Sequence, residues 1–166
     1  MIAAVFDLDG TLIDSSAEIK IYSKDGKFLR SYVNDSDVVV KPHEVISYED
    51  FNSYEILLKA KKLKLFKQMQ FLSEDTDNYE VFILTARSAS EMISDWLNVE
   101  GVDNVTVIAM NEKPFETAYT YESIADRKRI VLETLVDMFD KVIFFDNDPA
   151  NIRAVSNIKG LKAIKV

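Results

Sequence analysis

The chain has 166 residues, 48% hydrophobic and 29% charged, enough for one domain that buries roughly 70% of its unfolded surface and too apolar for wholesale disorder. With 28 acidic against 20 basic residues the net charge is −8, which excludes blanket attraction to nucleic acid or anionic membranes but not a local basic stretch. No Cys and a single histidine, His43, exclude disulfides, thiolate catalysis, thiolate metal sites and any multi-histidine metal centre.

Met1 runs at once into the apolar stretch Ile2–Phe6, with no charged leader or cleavage site, and no run approaches the ~20 apolar residues of a membrane span. The expectation is a soluble, cytoplasmic protein forming a single domain over residues 1–166. Ile2–Phe6 reads as a strand buried on both faces, stopped by the turn Asp7-Leu8-Asp9-Gly10-Thr11. Ile19–Tyr22 and Phe28–Val33, joined around Asp25-Gly26, form a hairpin signal. Val38–Val40 is a further short strand candidate. From Ser47, a candidate N-cap, to about Leu72 the pattern is helical, as one helix or two, and it carries a basic block from Lys59 to Lys67.

Val81–Leu84 is a second buried strand, ending at Thr85-Ala86-Arg87. Ser88 to Glu91 fits a capping box that opens a helix to about Asn98. Val105–Ala109 is a third strand, and a helix runs from about Ser123 to Phe139. Val142–Phe145 is a fourth strand. A helix capped by Asp148 extends to about Ile158, and Leu161–Val166 is the last strand. Apolar strands alternating with helices predict a Rossmann-like α/β fold, a parallel sheet with helices on both faces. Folds of this kind bind ligands at the carboxyl ends of their strands.

Three strands end in groups suited to one reaction: Asp7 and Asp9, then Thr85 to Arg87, then Asp146 to Asp148. Three converging carboxylates repel one another unless a cation neutralises them. Without Cys or a His cluster the fitting cation is hard and oxygen-liganded, and Mg²⁺ suits a site shared with a phosphate.

The string Asp7-Leu8-Asp9-Gly10-Thr11-Leu12 resembles motif I of the haloacid dehalogenase-like (HAD) phosphohydrolases. Ile83-Leu84-Thr85-Ala86-Arg87 is similar to motif II, and Phe144-Phe145-Asp146-Asn147-Asp148 to motif IV. The resemblance implies a phosphatase in which Asp7 attacks phosphorus and carries a transient aspartyl phosphate, and Asp9 serves as acid and then base. It implies Mg²⁺ held by Asp7, the main-chain carbonyl of Asp9, and Asp146. Thr85 would bond a phosphoryl oxygen and a lysine would offset its charge. Among Arg127, Lys128 and Arg129, Lys128 is preferred because the family uses Lys and because Val131, Leu132 and Leu135 fit a core-facing stripe. Gly10, Thr11, Ala86 and Arg87 are placed around the substrate phosphate, Gly10 to let the backbone approach it. Motif IV departs from the commonest form, with Asn at 147 and 151; Asp148 is left as a second acid or a helix cap.

The family's inserted cap domain has no room at the hairpin near Lys24-Asp25-Gly26 or in the loop 111–122, so the sequence resembles the capless subgroup. Lys24, Lys27 and Arg30 on the hairpin, with Tyr119 and Tyr121 in the loop, are candidate substrate contacts. The leading expectation is a terminal phosphate on a nucleotide or nucleic acid, with sugar phosphates and phosphoproteins as alternatives. The other class considered is a non-catalytic phosphate-sensing or interaction domain, which the intact Asp7/Asp9 pair disfavours. Neither a membrane nor an obligate protein partner is inferred. His43 reads as a surface residue, Trp96 as core, and Lys59, Lys61, Lys62, Lys64 and Lys67 as a solvated face.

Overall fold

The structure is a computed structural model and describes residues 1–33, 37–112 and 123–166. In chain order its strands are β1 (Ile2–Phe6), β2 (Ile13–Asp14), β3 (Ile19–Ser23), β4 (Phe28–Tyr32), β5 (Glu44–Ser47), β6 (Lys61–Lys62), β7 (Tyr79–Thr85), β8 (Val105–Ala109), β9 (Lys141–Asp146) and β10 (Leu161–Lys165). Its helices are α1 (Tyr54–Leu58), α2 (Lys64–Glu74), α3 (Ser90–Val99), α4 (Ile124–Met138) and α5 (Pro149–Val155). The chain divides into two compact units, one of residues 1–14 with 61–166 and one of residues 15–60.

The larger unit is built on a five-stranded sheet in the order β10-β9-β1-β7-β8, every pair parallel. Its strands are continuous apolar runs because both faces are covered. Ala3 and Val5 point to one face, where they join Phe82, Leu84, Val142 and Phe144 in a buried cluster with Leu132 and Leu135 of α4 and Val155 of α5. Helices α2 and α3 pack on β7, β1 and β8, and the ring of Phe66 meets Trp96 at 5.5 Å. Trp96 is core, as predicted. Each such large side chain, fully buried, contributes about 1.5–3 kcal/mol. The predicted Rossmann-like α/β fold is what forms.

Register positions the site. Phe6 pairs with Ile83 on one side and with Phe145 on the other, so β1, β7 and β9 end within two residues of one another, β7 reaching furthest. The Asp7 amide donates to the Phe145 carbonyl at 2.9 Å and closes the junction. Asp7, Thr85 and Asp146 therefore leave neighbouring strands at the same edge.

The smaller unit carries the predicted hairpin as β3 and β4, with Gly26 at φ +83° in the turn and a register shift at Ile21/Tyr22. To this β5 adds a third strand, giving the order β4-β3-β5. No separate cap domain is evident among the described residues.

Several local expectations give way. Ser47 does not cap a helix. It ends β5, because Glu44–Ser47 fills the open edge of β3, where main-chain pairing outweighs helical periodicity. The helical stretch then breaks into a 3-10 turn (Glu49–Asn52), α1, β6 and α2; Ser53, not Ser47, accepts the capping bond, from Ile56 at 3.4 Å. Val38–Val40 forms no strand. Helix α3 starts after Ala89 without a side-chain cap, so the capping box is not used. Helix α5 ends at Val155 rather than Ile158. No described helix is long and apolar enough to cross a membrane.

Candidate active site

Helix α4 delivers a cation to the strand ends. Ser123 accepts the Asp126 amide at 3.1 Å and fixes the helix start. From there Lys128, Leu132 and Leu135 form the buried stripe, which puts Lys128 at its site-facing end and turns its neighbours away. Arg127 donates to the Met110 carbonyl and Asn111, and Arg129 to the Ala154 carbonyl and Asn157. It is Lys128, only 1% exposed, that reaches the acids, at 2.6 Å from Asp7 Oδ1 and 2.8 Å from Asp146 Oδ2.

One ammonium stands against two buried carboxylates, and the electrostatics follow. Burial raises the Asp7 carboxyl; Lys128 pulls it back, Asp146 and Asp9 push it up further, and it is held at about 7. Burial lowers the Lys128 ammonium, but Asp7 and Asp146 outweigh that and leave it raised above its ordinary value. Asp146 is the more fully bonded acid. Its Oδ1 accepts the Asp148 amide at 2.7 Å, and its Oδ2 also accepts the Asn151 amide group at 2.9 Å. Among the described residues, Asp7 Oδ2 accepts only a 3.3 Å contact from Thr11 Oγ1.

The loop after β1 is cinched onto β9. Thr11 Oγ1 accepts the Asn147 amide at 3.1 Å, and the Gly10 amide donates to the Ile13 carbonyl at 2.8 Å. Gly10 has φ +79°, and a Cβ there would lie 2.3 Å from Asn147 Nδ2. The close approach that glycine permits is thus to the Asn147 side chain.

On the β7 side, the buried Thr85 Oγ1 accepts the Arg87 amide at 3.2 Å. The Ala86 carbonyl accepts from Asn111 Nδ2 at 2.6 Å. Arg87, 3% exposed, grips Asp9 through two nitrogens, Nε to Oδ2 at 2.8 Å and Nη2 to Oδ1 at 2.7 Å. Asp7, Asp146, Lys128 and Thr11 are thus brought together, with Asp9 and Arg87 paired to each other. Asp148 caps α5 by accepting the Ala150 amide at 2.7 Å.

In the smaller unit Lys24 and Lys27 are exposed, whereas Arg30 is spent on a two-pronged pair with Glu44 at 2.6 and 2.8 Å. That pair holds the Glu44 carboxyl down at about 2. His43 is exposed, as predicted. Tyr119 and Tyr121 lie outside the described residues. Asn147 and Asn151 were missed as site residues. The signal available was their place one turn apart around Asp148-Pro149, which marks a helix start folding back on Asp146.

Among the described residues no three Asp, Glu, His or Cys side chains converge as a metal site. A cation here has at most two carboxylate ligands, Asp7 and Asp146, and completes its shell with main-chain oxygen and water. Mg²⁺ is held in that way, through one or two carboxylates and retained water. The under-bonded Asp7 Oδ2 and the all-oxygen donor set fit it.

No protein-family model matches the chain, and no curated protein matches it in sequence. Solved structures do match in fold. One, a HAD-superfamily hydrolase of subfamily IA from Geobacter sulfurreducens, is 13% identical with a TM-score of 0.52, over 99% of this chain and 89% of its own. A haloacid dehalogenase-like hydrolase from Streptococcus pneumoniae is 13% identical with a TM-score of 0.50, over 98% and 83%. At that identity the likeness speaks for the fold: this is the α/β architecture of the HAD hydrolases.

Proposed function

We propose that the protein is a Mg²⁺-dependent phosphomonoester hydrolase working through an aspartyl phosphate on Asp7, its 166 residues serving as one phosphatase domain. The observation that carries the reading is Lys128, buried between Asp7 and Asp146 at the carboxyl ends of adjacent strands. One ammonium between two buried carboxylates leaves a negative charge that a proton on Asp7 or a bound cation can neutralise, the setting in which a cation-assisted carboxylate nucleophile is found.

The chain's own groups then divide the work. Asp7 Oδ2, the freer oxygen, attacks phosphorus in line as the ester P–O bond breaks. Asp9 gives a proton to the departing oxygen, and in the second half it takes one from the water that cleaves the acyl phosphate, so that the Asp7 carboxylate is regenerated and Asp9 regains the proton it gave. Arg87 holds both oxygens of Asp9, so it must shift before Asp9 can act. A phosphate dianion is the partner to draw its guanidinium away. Thr85 and the backbone around Ala86 bond phosphoryl oxygens, and Lys128 offsets their charge. Mg²⁺ would be held by Asp7, Asp146 and the main-chain carbonyl of Asp9, and would supply charge neutralisation between nucleophile and phosphate. We assign the substrate class as a terminal phosphate on a nucleotide or nucleic acid.

The test is a screen of phosphorylated metabolites, nucleotides and end-phosphorylated oligonucleotides with Mg²⁺. Turnover that chelator removes, that Asp7→Asn abolishes, and that leaves a trapped phosphoryl group on Asp7 supports the reading. Full turnover in excess chelator, or a phosphoryl group trapped elsewhere, overturns it. Phosphate binding without turnover of any substrate would instead favour a sensing domain.

A further inference from the structure

The basic block left outside the catalytic reading has a defined place in the fold. Between Glu55 and Glu74 the sequence holds no acidic residue but five lysines, in a chain whose net charge is −8. Helix α2 buries Phe66, Met69 and Ser73. It presents Lys64, Lys67 and Phe71 on another face, at i, i+3 and i+7, one above the other. Phe71 is 70% exposed. Beside this stripe runs an open groove of about 480 Å³ whose polar lining is Lys62, Lys64, Lys67, Gln70 and Glu100. Glu100 is paired with Lys62, whose ammonium also sits over the Phe66 ring. No carboxylate pairs with Lys64 or Lys67 among the described residues.

We infer that this face of α2 binds single-stranded nucleic acid, with Lys62, Lys64 and Lys67 following the phosphates and Phe71 stacking on a base. A cationic track beside an exposed ring is how proteins hold single strands without reading sequence. A duplex offers no open base face to Phe71. An anionic membrane calls for a broad apolar face, whereas the residues sharing this stripe with the single ring are Lys64 and Lys67. The surface is separate from the proposed chemistry and stands without it.

The test uses a fluorescein-labelled single-stranded oligonucleotide with no terminal phosphate, so that nothing can be hydrolysed and a failed phosphatase reading leaves the result intact. Fluorescence anisotropy at low salt is expected to give saturable binding that weakens as salt rises, by roughly 0.7 log units per log unit of salt for each phosphate contact. The double variant K64E/K67E is expected to weaken binding at least tenfold and flatten the salt dependence; Phe71→Ala is expected to weaken it roughly fivefold or more with the salt slope unchanged. Both changes lie on exposed positions, and K64Q/K67Q with thermal melts checks that folding is retained. No binding at low salt, binding indifferent to these variants, tighter binding of the matching duplex, or Phe71-dependent binding to phosphatidylserine vesicles without oligonucleotide binding would each overturn the proposal.

Discussion

Arg87 and Asp9 face each other as a matched fork and carboxylate, two nitrogens on two oxygens at 2.8 and 2.7 Å. The pair joins the loop after β1 to the end of β7 and keeps an acid and a cation of the site on each other. A planar fork does this and an ammonium does not. The same fork can close on a phosphate dianion once it leaves Asp9, so Arg87→Lys is expected to lower kcat/KM toward a phosphomonoester at least tenfold, and Arg87→Ala more. Steady-state kinetics on the three proteins decides it; wild-type rates for Arg87→Lys would show that the fork has no part in turnover.

Removing Lys128 leaves Asp7 and Asp146 buried side by side without their shared cation. Breaking a buried pair in this way destabilises by about 3–5 kcal/mol. Lys128→Met is expected to lose stability of that size in denaturant titrations at neutral pH without Mg²⁺, and to lose activity with it. A loss below about 1 kcal/mol would mean that the carboxylates are already compensated.

Stability should also depend on pH through Asp7. Unfolded, it titrates near 3.8; folded, burial and its acidic neighbours hold it at about 7 despite Lys128. Between those values the folded state binds the extra proton, so the contribution is complete below pH 3.8 and is lost as pH rises through about 7. Asp7→Asn removes the titration. Melting curves of metal-free protein from pH 4 to 8 should show Asp7→Asn gaining on wild type as pH rises, and parallel curves would contradict the assignment.

Gly10 and Asn147 are coupled by contact. Gly10→Ala places a Cβ against Asn147 and forces a left-handed backbone on a residue that resists it by about 1–2 kcal/mol. A double-mutant cycle with Asn147→Ala separates the two effects. The collision should vanish in the double variant and the backbone strain should remain. Additive losses would mean that Asn147 simply moves aside.

The five sheet strands were legible because each is a short apolar run closed by a polar turn, a pattern that survives without tertiary knowledge. The Asp7-to-Thr11 string pointed to the strand ends, and the register brings those ends to one edge of the sheet. Choosing Lys128 over its arginine neighbours was readable from Leu132 and Leu135, since a stripe with period 3.6 includes position 128. What was not legible depends on pairing across the chain. Ser47 reads as a cap until β3 is known to have an open edge. Arg87 reads as a phosphate contact until Asp9 lies opposite it. Asn147 and Asn151 look like departures from an acidic motif, yet in the fold one contacts Gly10 and Thr11 and the other donates to Asp146.

The contact between Lys128 and Asp7 spans 121 residues, and that distance orders events during synthesis. Asp7 leaves the ribosome 121 residues ahead of Lys128; at ~5–20 residues per second, Lys128 follows roughly 6 to 24 seconds later, and Asp146 later still. Until then β1 can pair with β7 on one side only; its β9 edge stays open and its terminal acid has no cation. The nascent chain is thus most exposed to mispairing in that interval, and a slowed stretch of translation before position 128 should lower the soluble yield more than the same delay placed after position 146.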